Sequence, residues 1–190
     1  MSRDRFQLLT TLLHFNDNEK MSSHCEDKIY KIRPILDYLV NKWRELYALG
    51  EHIAIDEGML KWRGRLSFRV YNKDKPTRYG IKSYILADSQ SGYCWNMAIY
   101  HHEKKTIKKT VRDLLAPKCL GLWHSLYMDN YYNSVELSEQ LLQEKVHTIG
   151  TPRSNREPIE IRKPRKLKNM ILLPKIMGKL WYFLGKTKDL

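Results

Sequence analysis

His52-Ile53-Ala54-Ile55-Asp56-Glu57 is a short apolar run closed by two acids. An apolar run this brief predicts a buried strand, because a helix needs ten or more residues. A second run of the same kind, Ser125-Leu126-Tyr127-Met128, is closed by Asp129. Between the two, Tyr79 to Ala87 predicts a strand, Asp88 to Gly92 a turn, and Tyr93 to Tyr100 the returning strand. Residues 104–116 predict a helix, stopped by Pro117, which cannot continue one. Beyond Asp129, residues 134–144 form an amphipathic helix through Val135, Leu137, Leu141 and Leu142, and Val146 to Gly150 a last core strand.

The order strand, strand, strand, helix, strand, helix, strand predicts an α/β fold: an RNase H-like mixed sheet with helices on its faces. Upstream, residues 3–15 predict a helix capped by Ser2, with Phe6, Leu9, Leu12 and Leu13 at helical spacing. A second helix runs from about Pro34 to Ala48, with Pro34 at its first turn and Gly50 in the C′ position. Both are expected to pack through their apolar faces. Leu60 to Tyr71 is a ribbon in which Lys61, Arg63, Arg65 and Arg69 alternate with aromatic and apolar residues.

The chain has 190 residues, 42% of them apolar, enough for a real core. Its formal net charge of +13 favours polyanionic partners, nucleic acid first. The charge is concentrated late: residues 145–190 hold twelve Lys and Arg against Glu157, Glu160 and Asp189. Arg153, Arg156, Arg162, Lys163, Arg165, Lys166 and Lys168 crowd a Pro-interrupted stretch, which fits a solvated linker and a DNA-contact or nuclear-import segment equally well. Residues 170–184 suggest a short strand pair around Gly178. Cys25, Cys94 and Cys119 are scattered with no CxxC pair, which argues against a zinc site or a disulfide scaffold and for a reducing compartment. No apolar run reaches membrane-spanning length, and no secretory leader is evident.

Asp56 and Asp129 stand out by position. Each ends a predicted strand, and in an RNase H-like sheet those two strands are neighbours. Two carboxylates held together repel unless a cation neutralises them, and Mg²⁺ prefers such hard oxygen ligands. Glu57 is a rival ligand, but alternation points it to the other side of the strand. Asp88 is a second rival, sitting in a Ser/Gly turn that favours an ordinary turn role. His101-His102 and His124 lack a nucleophile partner, and the chain contains no GxSxG, P-loop or GxGxxG.

Six stretches, in order, now carry a resemblance. They are Met1 to Phe6 with Leu13 to Asn18; Ile55-Asp56-Glu57; Arg63-Gly64-Arg65; Lys75 to Lys82; Met128 to Ser134; and Gly150 to Asn155. Together they resemble the piggyBac-type transposases and proteins derived from them. The resemblance implies a DDE catalytic core interrupted by an insertion domain, metal-dependent DNA strand transfer, TTAA target sites, hairpin ends and a nuclear location. Asp56 would be the first catalytic Asp and metal ligand, and Asp129 the second, with Mg²⁺ or Mn²⁺ as cofactor. Arg63, Arg65, Lys75, Arg78, Lys82 and Arg153 would meet DNA. A homo-oligomer or a related transposase is the implied protein partner, and no membrane is involved.

Residues 1–50 would then be a helical N-terminal region, 51–156 a partial RNase H-like core, and 157–190 a basic segment opening the insertion domain. The family's third Asp lies in a Gly-Gly-Val-Asp-like motif that is absent here, and Glu157, Glu160 and Asp189 do not replace it. The family's C-terminal cysteine-rich zinc region is absent as well, and Met1 falls inside what is usually a longer N-terminal region. The expectation is a core incomplete at the C-terminus, weak or absent metal binding, and no activity from this chain alone. The alternative is a domesticated non-enzymatic module that binds DNA or a transposase.

Overall fold

A computed structural model describes residues 1–20, 27–73, 77–102, 105–115, 117–153, 172–174 and 181–183. Its centre is a mixed six-stranded sheet. The strands are β1 (His52–Lys61), β2 (Val70–Tyr71), β3 (Tyr79–Asp88), β4 (Cys94–Ile99), β5 (Ser125–Met128) and β6 (His147–Ile149). Strand order is β2-β3-β1-β5-β6, with β4 also on the outer side of β3. β1 lies antiparallel to β3 and parallel to β5, and β5 lies parallel to β6.

Alternation puts Ile53 and Ile55 of β1, Leu86 of β3, and Leu126 and Met128 of β5 on one buried face. Two helices cover it. α3 (Ile107–Leu115) contributes Val111, Leu114 and Leu115, and α4 (Val135–Gln143) contributes Leu137 and Leu141. The Asn96 amide donates to the carbonyl of Asp113 at 3.4 Å, satisfying one of the orphan acceptors at the end of α3. Ser134 caps α4, its hydroxyl accepting from the Leu137 N–H at 3.3 Å.

α2 (Arg33–Leu46) leans on β4. Tyr47, just past its end, stacks on Tyr93 at 4.3 Å, and its carbonyl accepts from the Trp95 indole N–H at 3.2 Å. The helix starts with Pro in its first turn, as expected, but it ends at Leu46 through an extended Tyr47. Gly50 is therefore not its C′ residue. The Gly50 N–H donates to the Asp88 carboxylate at 3.0 Å, and its carbonyl faces His124 Nδ1 at 2.8 Å.

α1 (Arg3–Leu12) is capped by Ser2 as read from sequence, yet it buries no residue. Phe6, Leu8, Leu9 and Leu12 are all exposed, so the expected packing of this helix is not seen. Two further differences lie in the sheet. β1 continues through Asp56 to Lys61 instead of stopping at the acids, and β2 was not foreseen. The late strand pair does form, as β7 (Leu172–Pro174) antiparallel to β8 (Trp181–Phe183). Among the described residues no helix is long and apolar enough to cross a membrane.

Candidate functional site

β1 and β5 run side by side in parallel, and Ile55 is the register partner of Met128. Asp56 and Asp129 each follow that pair by one residue. Both side chains leave the buried face that Ile55 and Met128 occupy, and both residues are exposed. The two acids singled out from sequence are thus neighbours at one end of the parallel pair.

Local structure holds each of them. Asp56 Oδ1 accepts from the Glu57 N–H at 2.7 Å. Asp129 opens a tight turn: its Oδ1 accepts from the Tyr131 N–H, and its carbonyl accepts from Tyr132 at 3.2 Å and Asn133 at 3.1 Å. The turn runs directly into the Ser134 cap of α4. Gly150 supports it from β6's end, because a Cβ there would fall on the Met128 carbonyl. Among the described residues neither carboxylate forms an ion pair, and no hydrogen bond engages its second oxygen. Two exposed carboxylates with free oxygens suit a hard divalent cation. No third His, Cys, Asp or Glu among the described residues joins a group that could hold a metal ion.

Glu57 turns to the opposite face, as alternation required. Its carboxylate pairs with Lys82 Nζ at 2.9 Å, with both side chains about four-fifths buried. Lys82 also lies between two rings, 4.9 Å from Tyr84 and 5.0 Å from Tyr131. Burial raises the pKa of the Tyr84 and Tyr132 hydroxyls well above that of an ordinary phenol, so both stay protonated. This cluster joins β1 and β3 to the turn that begins at Asp129.

The remaining bases divide. Arg63 and Arg65 follow β1 and are exposed, and Arg78 lies just before β3 and is exposed too. Arg153 instead sits on the Asp129 turn, its Nε donating to Asn130 Oδ1 at 3.4 Å and its guanidinium 5.3 Å from the Tyr131 ring. Lys82 is not brought to the exposed basic surface. Lys75 lies outside the described residues, as do Glu157, Glu160 and Asp189. Asp88 takes the turn role: it is 3% exposed and accepts four hydrogen bonds, from Gly50, Gln90 and the amide and hydroxyl of Ser91. Sequence reasoning missed the Glu57–Lys82 pair and the role of Gly150. The signals were a second acid directly after Asp56 and a glycine at the end of a core strand.

A family model of DDE transposases, described as Transposase IS4, matches residues 1–179. Among curated proteins the chain is 25% identical over 178 residues to human PiggyBac transposable element-derived protein 2. It is 26% identical over 173 residues to human PiggyBac transposable element-derived protein 3. These alignments cover 88% and 84% of this chain but only 30% and 29% of the relatives, so the chain spans about three tenths of their length. A cryo-EM structure of a piggyBac transposase synaptic complex with hairpin DNA is 32% identical and superposes with a TM-score of 0.81, covering 91% of this chain and 39% of that one. The mixed sheet, the adjacent strand ends and these matches together place the chain in the Transposase IS4 family of DDE transposases, as a piggyBac-type transposase domain.

Proposed function

We propose that this chain carries two of the three carboxylates of a metal-dependent DNA strand-transfer centre, on an RNase H-like core. The observation that supports it is the adjacency of Asp56 and Asp129 at the ends of β1 and β5. Asp56 and Asp129 would hold Mg²⁺ or Mn²⁺ between them. When bound, such a cation supplies Lewis acidity at a phosphodiester and a more acidic attacking hydroxyl. Arg63, Arg65, Arg78 and Arg153 bind DNA phosphates, releasing counterions, and Lys75 belongs with them by sequence. Lys82 acts differently: it neutralises Glu57, so that only Asp56 and Asp129 present charge to the cation, and it steadies Tyr131 in the turn. The cellular setting of such chemistry is the nucleus, with transposon-end or TTAA-type DNA and a second transposase copy as partners.

A pair of carboxylates without its third member positions metal poorly, and groups that act as a unit lose most activity when one is missing. The 190-residue polypeptide by itself therefore binds metal weakly and neither nicks nor joins transposon-end DNA. Mn²⁺ binding followed by electron paramagnetic resonance, with Asp56→Asn and Asp129→Asn, tests the site. Loss of bound Mn²⁺ in both variants is the expected result, and unchanged binding in both would overturn the site. Strand transfer by the unaltered polypeptide, abolished by Asp129→Ala, would overturn the inactivity.

Arg63, Arg65 and Arg78, exposed and without an ion pair among the described residues, favour a second reading, a non-enzymatic DNA-binding module. Salt-sensitive DNA affinity that survives Asp56→Asn and Asp129→Asn, with specific binding in competitor DNA, distinguishes it.

A further inference from the structure

A cavity of about 400 Å³ lies between α2, β4 and α3. That volume falls within the roughly 300–1,000 Å³ range of small-molecule sites. Leu36, Val40 and Arg44 recur every fourth residue along α2, so one face of the helix turns to the cavity. Ala98 of β4 lines it from the sheet, and Leu114 lines it from α3. Tyr84 of β3 lines it as well. Tyr84 is the register partner of Glu57, which places the cavity on the sheet face opposite Asp56.

Among the described residues, one cation on the cavity wall has no counter-charge. Arg33 is held by Asp27 at 2.8 Å, and Lys105 pairs with Asp113 at 3.5 Å. Arg44 forms no ion pair with these acids or with Asp37, which lies about two turns away on α2. Its Nε is buried without a hydrogen-bond partner. Burial also lowers its pKa below the ordinary guanidinium value. The group is nonetheless fixed in place. Its guanidinium lies 5.5 Å from the ring of the buried Trp95, whose indole N–H is tied to the Tyr47 carbonyl at 3.2 Å. A guanidinium that has lost water without gaining a partner is costly, and a carboxylate taken up in its fork restores those hydrogen bonds. Leu36, Val40, Ala98 and Leu114 give that carboxylate an apolar body to accommodate.

We propose that this cavity binds a small organic monoanion, a carboxylate on an aromatic or aliphatic body, with Arg44 as its anchor. One uncompensated cation matches a single negative charge better than a phosphate dianion. The site stands on Arg44 and its apolar neighbours and does not depend on the DNA reading above.

The test is proton–nitrogen correlation NMR of the 190-residue polypeptide titrated with benzoate, hexanoate, their neutral amides and inorganic phosphate. The readout is the Trp95 indole N–H, identified by its loss in Trp95→Phe. At least one of the two carboxylates is expected to shift it saturably, with a Kd on the order of 1 mM or tighter. The matching amide is expected to bind about tenfold weaker or worse, because it offers the guanidinium no charge. Arg44→Met keeps the apolar stem and is expected to weaken carboxylate binding about tenfold or more. Leu36→Trp fills the cavity, leaves Arg44 in place and is expected to abolish the saturable shift; it decides the matter if Arg44→Met fails to fold. No saturable shift with either carboxylate, or affinity unchanged in Leu36→Trp or in folded Arg44→Met, would overturn the site. Phosphate binding as tight as the carboxylates would overturn the proposed ligand class. Duplex DNA that displaces the bound carboxylate would assign Arg44 to the DNA-contacting bases and overturn the proposal.

Discussion

Replacing Asp88 by Ala tests the joint that holds β1, β3 and β4 together. Asp88 Oδ1 accepts from Gln90 N–H (3.0 Å), Ser91 N–H (2.8 Å) and Ser91 Oγ (2.9 Å), and Oδ2 accepts from Gly50 N–H (3.0 Å). The Ser91 N–H leads in holding the carboxyl down to about 2, against a usual 3.8, with the Gly50 and Gln90 amides assisting. A depression of that size corresponds to about 2.5 kcal/mol of stability. Because the folded value is the lower one, this contribution is complete above pH 3.8 and is lost as pH falls through about 2. Truncation also strands the Gly50 N–H, so the expected loss at pH 7 is about 2–4 kcal/mol. Urea denaturation followed by far-ultraviolet circular dichroism at a series of pH values measures it. The gap between the unaltered protein and Asp88→Ala should be widest at neutral pH and shrink by about 2 kcal/mol between pH 5 and pH 2. A gap below about 0.5 kcal/mol at pH 7, or one that widens in acid, would refute the assignment.

Gly150→Ala drives a methyl group into the Met128 carbonyl beside Asp129; a loss of at least about 2 kcal/mol is expected, read as a lower thermal midpoint. Lys82→Met leaves the Glu57 carboxylate largely buried without its partner and should cost about 3 kcal/mol, while Glu57→Gln/Lys82→Met should recover most of that in a double-mutant cycle. Cys119 is 1% exposed and burial pushes its thiol up to about 12, so it should resist iodoacetamide at pH 8 in the folded protein and react only in denaturant, as mass spectrometry of the labelled chain will show.

The legible parts of this fold were those specified locally. β5 was read to the residue, because His124 and Asp129 bound a run that alternates cleanly. The pairing of Asp56 with Asp129 followed from strand order alone. The end of β1 was misread because two acids close its apolar run. In the sheet Asp56 is exposed and Glu57 pairs with Lys82 of β3, so neither ends the strand, which continues through Gly58 to Lys61. α1 shows the limit of periodicity: Phe6, Leu9 and Leu12 line one side of a helix, yet spacing says nothing about what faces that side. Lys82 is a parallel case. In sequence it is one base among several, and its burial depends on Glu57, Tyr84 and Tyr131, brought to it only by the folded sheet. Gly50 satisfied every local rule for a helix terminator, but Asp88 and His124, remote in sequence, claim its backbone groups.

β1 carries Asp56 near its middle and leads to Trp62 just past its end, with no break between them. It therefore works as a ruler with two graduations, length and side. Deleting one residue between positions 56 and 62 would swing the indole to the underside of the sheet. Deleting two would restore the side and shorten the span by about 7 Å. Changes to this segment should thus act by parity: odd alterations separate the tip from the acid end altogether, and even ones merely reset the measure.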